Sequence, residues 1–163
     1  MRIKRMKIKE EAQSSSSMEE NISVGKYVEV CSKEDGFLGS YFVAKVVGRV
    51  GKERLKVEYT TLVSEEDENR RLREVVAVRD VRPCPPLIRV AEFHMLQKVD
   101  AYDREGWWVG RVTGRGGGDE KYYVHFDSSG DEIVYSGSLL RVHQEWDDGM
   151  WVPSVRRGLH GFS

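Results

Sequence analysis

Cysteine is nearly missing from this chain, proline is clustered, and neither sign of charge dominates. Two cysteines, Cys31 and Cys84, are too few for a secreted disulfide scaffold. One bridge between them stays open, but no C-x-x-C spacing offers zinc a site. They read as two reduced structural thiols of an intracellular protein. A net charge of -1 supplies no basic field to draw the whole chain onto nucleic acid. No apolar run approaches the roughly 20 residues that span a bilayer, so no membrane partner is expected. The first 21 residues are basic, then acidic and serine-rich, without the apolar stretch of a signal peptide, and read as a disordered leader. Residues 153–163 show no periodicity and read as a fraying tail.

Catalytic signatures are lacking too. None of the four histidines (His94, His125, His143 and His160) lies near a plausible Ser or Cys nucleophile. G-x-S-x-G, H-E-x-x-H and G-x-x-x-x-G-K do not occur. The glycines of "GRGGGDE" precede no Lys-Ser/Thr and open no helix, so they mark a hairpin tip. Neither an enzyme nor a cofactor or metal is expected.

What is present is repetition. "GKYVEVCSKEDG" matches "LQKVDAYDREG", and "SYFVAKVVGRVG" matches "GWWVGRVTGRGG". "RLKVEYTTLVSEED" matches "KYYVHFDSSGDE", and "LREVVAVRDVRPCP" matches "DEIVYSGSLLRVHQ". The segments recur in order at a spacing of about 60–70 residues, which is module length. Within each, apolar and polar residues alternate, as at Val28/Val30, Val57/Tyr59, Val99/Ala101 and Val124/Phe126, so each is a strand with one buried face. Four or five short antiparallel strands in about 60 residues suit a small, strongly bent barrel rather than a sandwich. The reading is therefore all-β: two such barrels in tandem, over 22–86 and 97–152. Pro83, Pro85 and Pro86 end the first module. The linker over 87–96 is too apolar to be floppy, and "RVAEFHMLQ" suggests a short helix there.

Aromatics sit beside acids at the strand ends of both modules. Aromatic faces attract poorly hydrated cations such as methylated ammonium groups, and a neighbouring carboxylate adds Coulomb attraction. The plain alternative puts one ring of each adjacent pair in the core and the other over an edge. A local basic strip of Arg111, Arg115, Lys121 and Arg141 makes RNA the second choice of partner. A scaffold for a non-histone protein is a third.

"VEVCSKEDGFLGSYFVAKVV" with "LKVEYTTLVSEED" and "LREVVAVRDVRPCPP" resembles the first Agenet domain of a plant tandem pair. "KVDAYDREGWWVGRVTG" with "YYVHFDSSGDEIVYSGSLLRVHQEW" resembles the second. Agenet domains belong to the Tudor-like Royal group, and the resemblance covers about 22–152. It implies a nuclear, non-catalytic reader of methylated histone tails, monomeric over this stretch. The favoured partner is the histone H3 tail carrying the heterochromatic methyl mark at lysine nine.

Carried over residue by residue, the Tudor-like cage implies a first site of Phe37, Tyr41, Phe42 and Tyr59 at an open barrel mouth. Glu65, Glu66 and Asp67 would lie near the ammonium. Cys31 stands where the family has an aromatic, and Phe37 is expected to replace it. A second cage is offered by Tyr102, Trp107, Trp108 and Phe126. The acids Glu34, Asp35, Asp127 and Glu132 would hold the peptide's unmodified basic side chains.

Overall fold

The computed structural model of the protein describes residues 20–154 apart from 35, 38 and 119. The expected leader and tail lie outside the described residues except at their inner ends, and Asp35 lies outside them too. The described chain is nearly all β and forms two compact units. Among the described residues, the first holds those up to Val30, Val43–Cys84 and Trp146–Trp151; the second holds Cys31–Phe42, Pro85–Glu145 and those from Val152. Two short segments thus pack out of chain order, a difference from the in-line division at 22–86 and 97–152.

In the first repeat the strands are β1 (Tyr27–Cys31), β2 (Ser40–Val50), β3 (Arg54–Val63), β4 (Arg71–Ala77) and β5 (Val81–Pro83). All pair antiparallel, and β5 returns to β1 with Val30 opposite Val81, giving the order β4-β3-β2-β1-β5. The period of two puts Val28, Ala44, Val46, Leu55 and Val57 on one buried face. Each of these valine and leucine side chains contributes about 1.5–3 kcal/mol by leaving water.

The second repeat follows the same plan with β6 (Lys98–Asp103), β7 (Gly106–Arg115), β8 (Lys121–His125), β9 (Glu132–Ser136) and β10 (Leu140–Val142). A β-bulge interrupts β2 against β3 between Val46 and Gly48, and another interrupts β7 against β8 between Val112 and Gly114. These are the same repeat position. A 3-10 turn precedes the last strand of each repeat, at Val78–Asp80 and Gly137–Leu139. A final hairpin pairs β11 (Gln144–Asp147) with β12 (Met150–Pro153). Half-buried Cys31 and exposed Cys84 remain thiols rather than a disulfide.

The linker contains no helix, which corrects the expectation for 87–96. Three of its backbone donors are spent outside any helix. Phe93 donates to the Tyr122 hydroxyl at 3.3 Å, His94 to the Gln97 side chain at 2.9 Å, and Leu96 to the Val112 carbonyl at 2.7 Å. Leu96 also takes a left-handed φ of 64°. The apolar residues that suggested a helix instead seat Phe93 edge-on against Tyr122, ring centroids 5.4 Å apart.

Candidate functional site

The second unit gathers aromatic rings around the β6–β7 turn. Asp103 stands opposite Gly106, so only Arg104 and Glu105 form the loop, and both are left-handed, with φ of 48° and 64°. A two-residue hairpin of this hand matches the twist of its strands and favours Asn-Gly. Placing Arg and Glu there costs about 1–2 kcal/mol per residue. The turn fixes side-chain parity: Ala101 pairs with Trp108, and Tyr102 with Trp107. Trp108 therefore points to the core face and Trp107 to the outer face.

The Trp108 indole N–H donates to the Asp103 carbonyl at 2.7 Å, which fixes the ring. Phe37 lies 5.7 Å from Trp108 and 6.5 Å from Phe42, centroid to centroid. The loop carrying Phe37 turns on Gly36 and Gly39, whose φ of 84° and 80° suit glycine. Ser40 and Tyr41 then pair with Trp108 and Trp107, so the start of β2 is built into this unit. Phe42 packs so closely on Gly106 that a Cβ there would lie 2.7 Å from its ring. Over the indole, 4.2 Å from its centroid, lies the Arg104 guanidinium.

The Asp103 carboxylate accepts the Tyr135 hydroxyl at 2.6 Å, and Tyr135 meets Phe126 edge-on at 6.1 Å. Burial, that hydrogen bond and the carboxylate's charge push the Tyr135 phenol far up, while the Arg104 charge pulls against them. On the outer face Tyr102 packs against Trp107 at 5.1 Å, and Arg141 stacks over Trp107 at 4.0 Å.

Several expected site residues are placed differently. Phe42 (8% exposed), Tyr59 (5%), Trp108 (6%) and Phe126 (5%) are buried rather than lining open mouths, whereas Phe37 is 40% exposed. The reason is strand parity, which turns these rings onto the core face. The expected first cage divides between the units: Phe37, Tyr41 and Phe42 belong to the second and Tyr59 to the first. There Tyr59 donates to Glu74 at 2.6 Å. Glu65 and Glu66 are exposed in the β3–β4 loop, and Asp67 is half-buried. Asp67 shapes that loop by accepting from the Asn69 N–H at 3.0 Å.

The expected second cage splits as well, Tyr102 and Trp107 outside and Trp108 and Phe126 inside. Exposed Glu34 has its carbonyl bound by the Phe37 N–H at 3.0 Å. Asp127 faces His125 at 3.4 Å, and Glu132 accepts from Thr113 at 3.1 Å. Sequence reasoning placed Tyr135 and Asp103 in the aromatic–acid cluster of the second module without assigning them a role, and missed Arg104. The signal available was the turn length, since two loop residues put Arg104 next to the Trp108 row.

Beneath the outer face of each repeat lies a buried ion pair, Glu29 with Arg82 and Asp100 with Arg141, both at 2.8 Å. In the second, His143 bridges Asp100 at 2.5 Å and Glu145 at 2.6 Å. Burial disfavours its charged form, but the hydrogen bonds and charges of the two carboxylates outweigh this and raise its pKa above the ordinary histidine value. Among the described residues no cluster of His, Cys, Asp and Glu suits a metal ion.

A family profile described as the Agenet domain matches residues 25–86. The Arabidopsis thaliana protein AGENET DOMAIN (AGD)-CONTAINING P1 is 38% identical over 135 residues, 82% of this chain and 26% of the relative. DUF724 domain-containing protein 3 of the same plant is 35% identical over 131 residues, 77% of this chain and 19% of the relative. This chain thus spans about a quarter or less of the length of those curated relatives. The crystal structure of Arabidopsis thaliana AGDP1 AGD34 superposes with a TM-score of 0.78 at 33% identity, covering 85% of this chain and 94% of that one. That of the ADCP1 tandem Agenet domain 3-4 gives 0.75 at 30% identity, covering 87% and 94%. With its duplicated bent sheets, matched bulges and these likenesses, the chain belongs to the Agenet family as a tandem Agenet pair.

Proposed function

We infer that this Agenet pair is a non-catalytic, nuclear chromatin reader that binds a methylated lysine of a histone tail. The favoured partner is histone H3 bearing the methyl mark at lysine nine, by resemblance to its family. The observation that carries the reading is the second unit's rim. There the exposed Phe37 ring and the Trp108 indole lie 5.7 Å apart, with a guanidinium already seated on the indole at 4.2 Å. An indole face that holds one cation suits another, and Asp103 supplies a carboxylate beside it. Exposed Glu34 and Asp127 add acidic groups for the unmodified basic side chains of a tail. One caged ammonium contributes about 0.5–2 kcal/mol, so affinity is expected in the micromolar range and depends on flanking contacts.

Three of the four residues of the basic strip that favoured RNA are engaged internally. Arg115 pairs with Glu92 and stacks on Tyr122, Arg141 pairs with Asp100, and Arg111 donates to the Leu96 carbonyl. Calorimetric titration with a lysine-nine-methylated H3 peptide, its unmethylated twin and a single-stranded RNA at two salt concentrations tests the reading. Preferential binding of the methylated peptide is expected. Equal affinity for both peptides, with RNA binding on a steep salt slope, would overturn it.

A further inference from the structure

The cation already on the Trp108 indole belongs to the chain itself, and its setting is unusual. Arg104 occupies the first central position of a two-residue hairpin whose geometry favours small or flexible residues. Backbone strain kept beside a binding surface points toward a role there. Trp108 is 6% exposed, yet two of the groups that cover it, Arg104 and Phe37, are themselves exposed. The indole cannot turn away, because its N–H is held by Asp103. The Arg104 side chain, stacked at 4.2 Å, has no ion pair among the described residues to hold it. The neighbouring Asp103 carboxylate accepts the Tyr135 hydroxyl.

We propose that Arg104 is a resident cation on the Trp108 face, which an incoming ligand's cation must displace. This deepens the reader assignment and rests on it, since it names what regulates that same site. A guanidinium is more weakly hydrated than a plain ammonium, so unmodified lysine loses the exchange. A methylated ammonium has shed most of its hydration and competes for the ring. Displacement lowers the observed affinity of every ligand by one common factor, the population shift needed to clear the ring. A cation–π contact of this kind corresponds to about two- to thirty-fold. Arg104 thereby sets a threshold: ordinary lysine falls below useful affinity while the methylated form stays above it.

The test replaces Arg104 by glycine, which suits the left-handed backbone and removes the guanidinium, with Arg104→Gln as a second variant that keeps a long side chain. Thermal melts confirm that both fold. Calorimetry with the methylated and unmethylated H3 peptides should show both binding about two- to thirty-fold tighter to Arg104→Gly, with their ratio unchanged. Unchanged or weaker binding of the methylated peptide by a folded variant overturns the proposal and leaves the reader assignment standing. Tetramethylammonium chloride, against sodium chloride at equal ionic strength, supplies a probe independent of histones. The Trp108 indole N–H resonance should shift at lower probe concentration in Arg104→Gly than in the parent chain. If neither protein binds the peptides but this difference appears, the histone assignment fails and the displacement stands. If the probe shifts neither protein's resonance, the proposal fails.

Discussion

In the first repeat, Glu29 meets Arg82 and the Trp151 ring lies 5.0 Å from that guanidinium. In the second, Asp100 meets Arg141 beneath Trp107, and His143 and Glu145 lengthen the pair into a line of four. Cys84, not a histidine, stands at the repeat position of His143. The aromatic covers differ in origin as well: Trp107 comes from β7, whereas Trp151 comes from the terminal hairpin. A buried ion pair repays its desolvation only when geometry and further hydrogen bonds are good. The repeats reach that condition by different means, and in the second the added partner is a histidine whose pKa its two carboxylates raise.

The largest effects should come from breaking these pairs one partner at a time. Asp100→Ala and Glu29→Ala are each expected to cost about 3–5 kcal/mol in denaturant unfolding, because each removes the carboxylate paired with a largely buried arginine. Asp100→Ala should be the worse of the two, since it also strands His143; a cost below 1 kcal/mol for either would remove the contrast. Next come the buried phenols. Tyr59→Phe and Tyr135→Phe each remove a hydrogen bond to a carboxylate, for about 1–3 kcal/mol by chemical denaturation. A near-zero effect at Tyr135 alone would mean that water serves Asp103 equally well.

The contrast in titration is smaller and has a definite sign. The pKa of His143 is raised in the folded protein, so its contribution is fully present below the ordinary histidine value near 6.5. That contribution is lost as pH climbs through the raised value, at no more than about 1.4 kcal/mol per pH unit for one proton. Melting temperatures measured across that window should fall for the parent chain and flatten in His143→Gln. The smallest effect concerns the turns. Glu105→Gly, at φ 64°, should raise stability by about 0.5–1 kcal/mol, while Gly36→Ala, at φ 84°, should lower it by about 1–2. Paired thermal melts would show whether the two loops differ in this way.

Strands and repeat were legible because a period of two, punctuated by Gly and Asp, specifies half-buried strands locally. Leu55, Val57 and Val124 fell on the core face as their alternation required. The linker was not legible, since "RVAEFHMLQ" shows a mixed apolar pattern while Phe93 and Leu96 answer to partners on other strands. The site was legible in its residue types but not in its grouping. Whether Tyr102 joins Trp107 or Trp108 depends on the two-residue turn between them, which decides the face for every residue beyond it. That Phe37 and Phe42 serve the second repeat has no local signature, because the register of Ser40 and Tyr41 against β7 is a long-range fact.

β2 gives Ser40–Phe42 to one compact unit and its remainder to the other, and the terminal hairpin lends Trp151 in the opposite direction. Cutting the gene between its two copies would therefore leave one product without the strand that flanks its tryptophans. The other product would lose the ring stacked on its buried arginine. After such a trade, neither copy by itself encodes every side chain that its own unit uses.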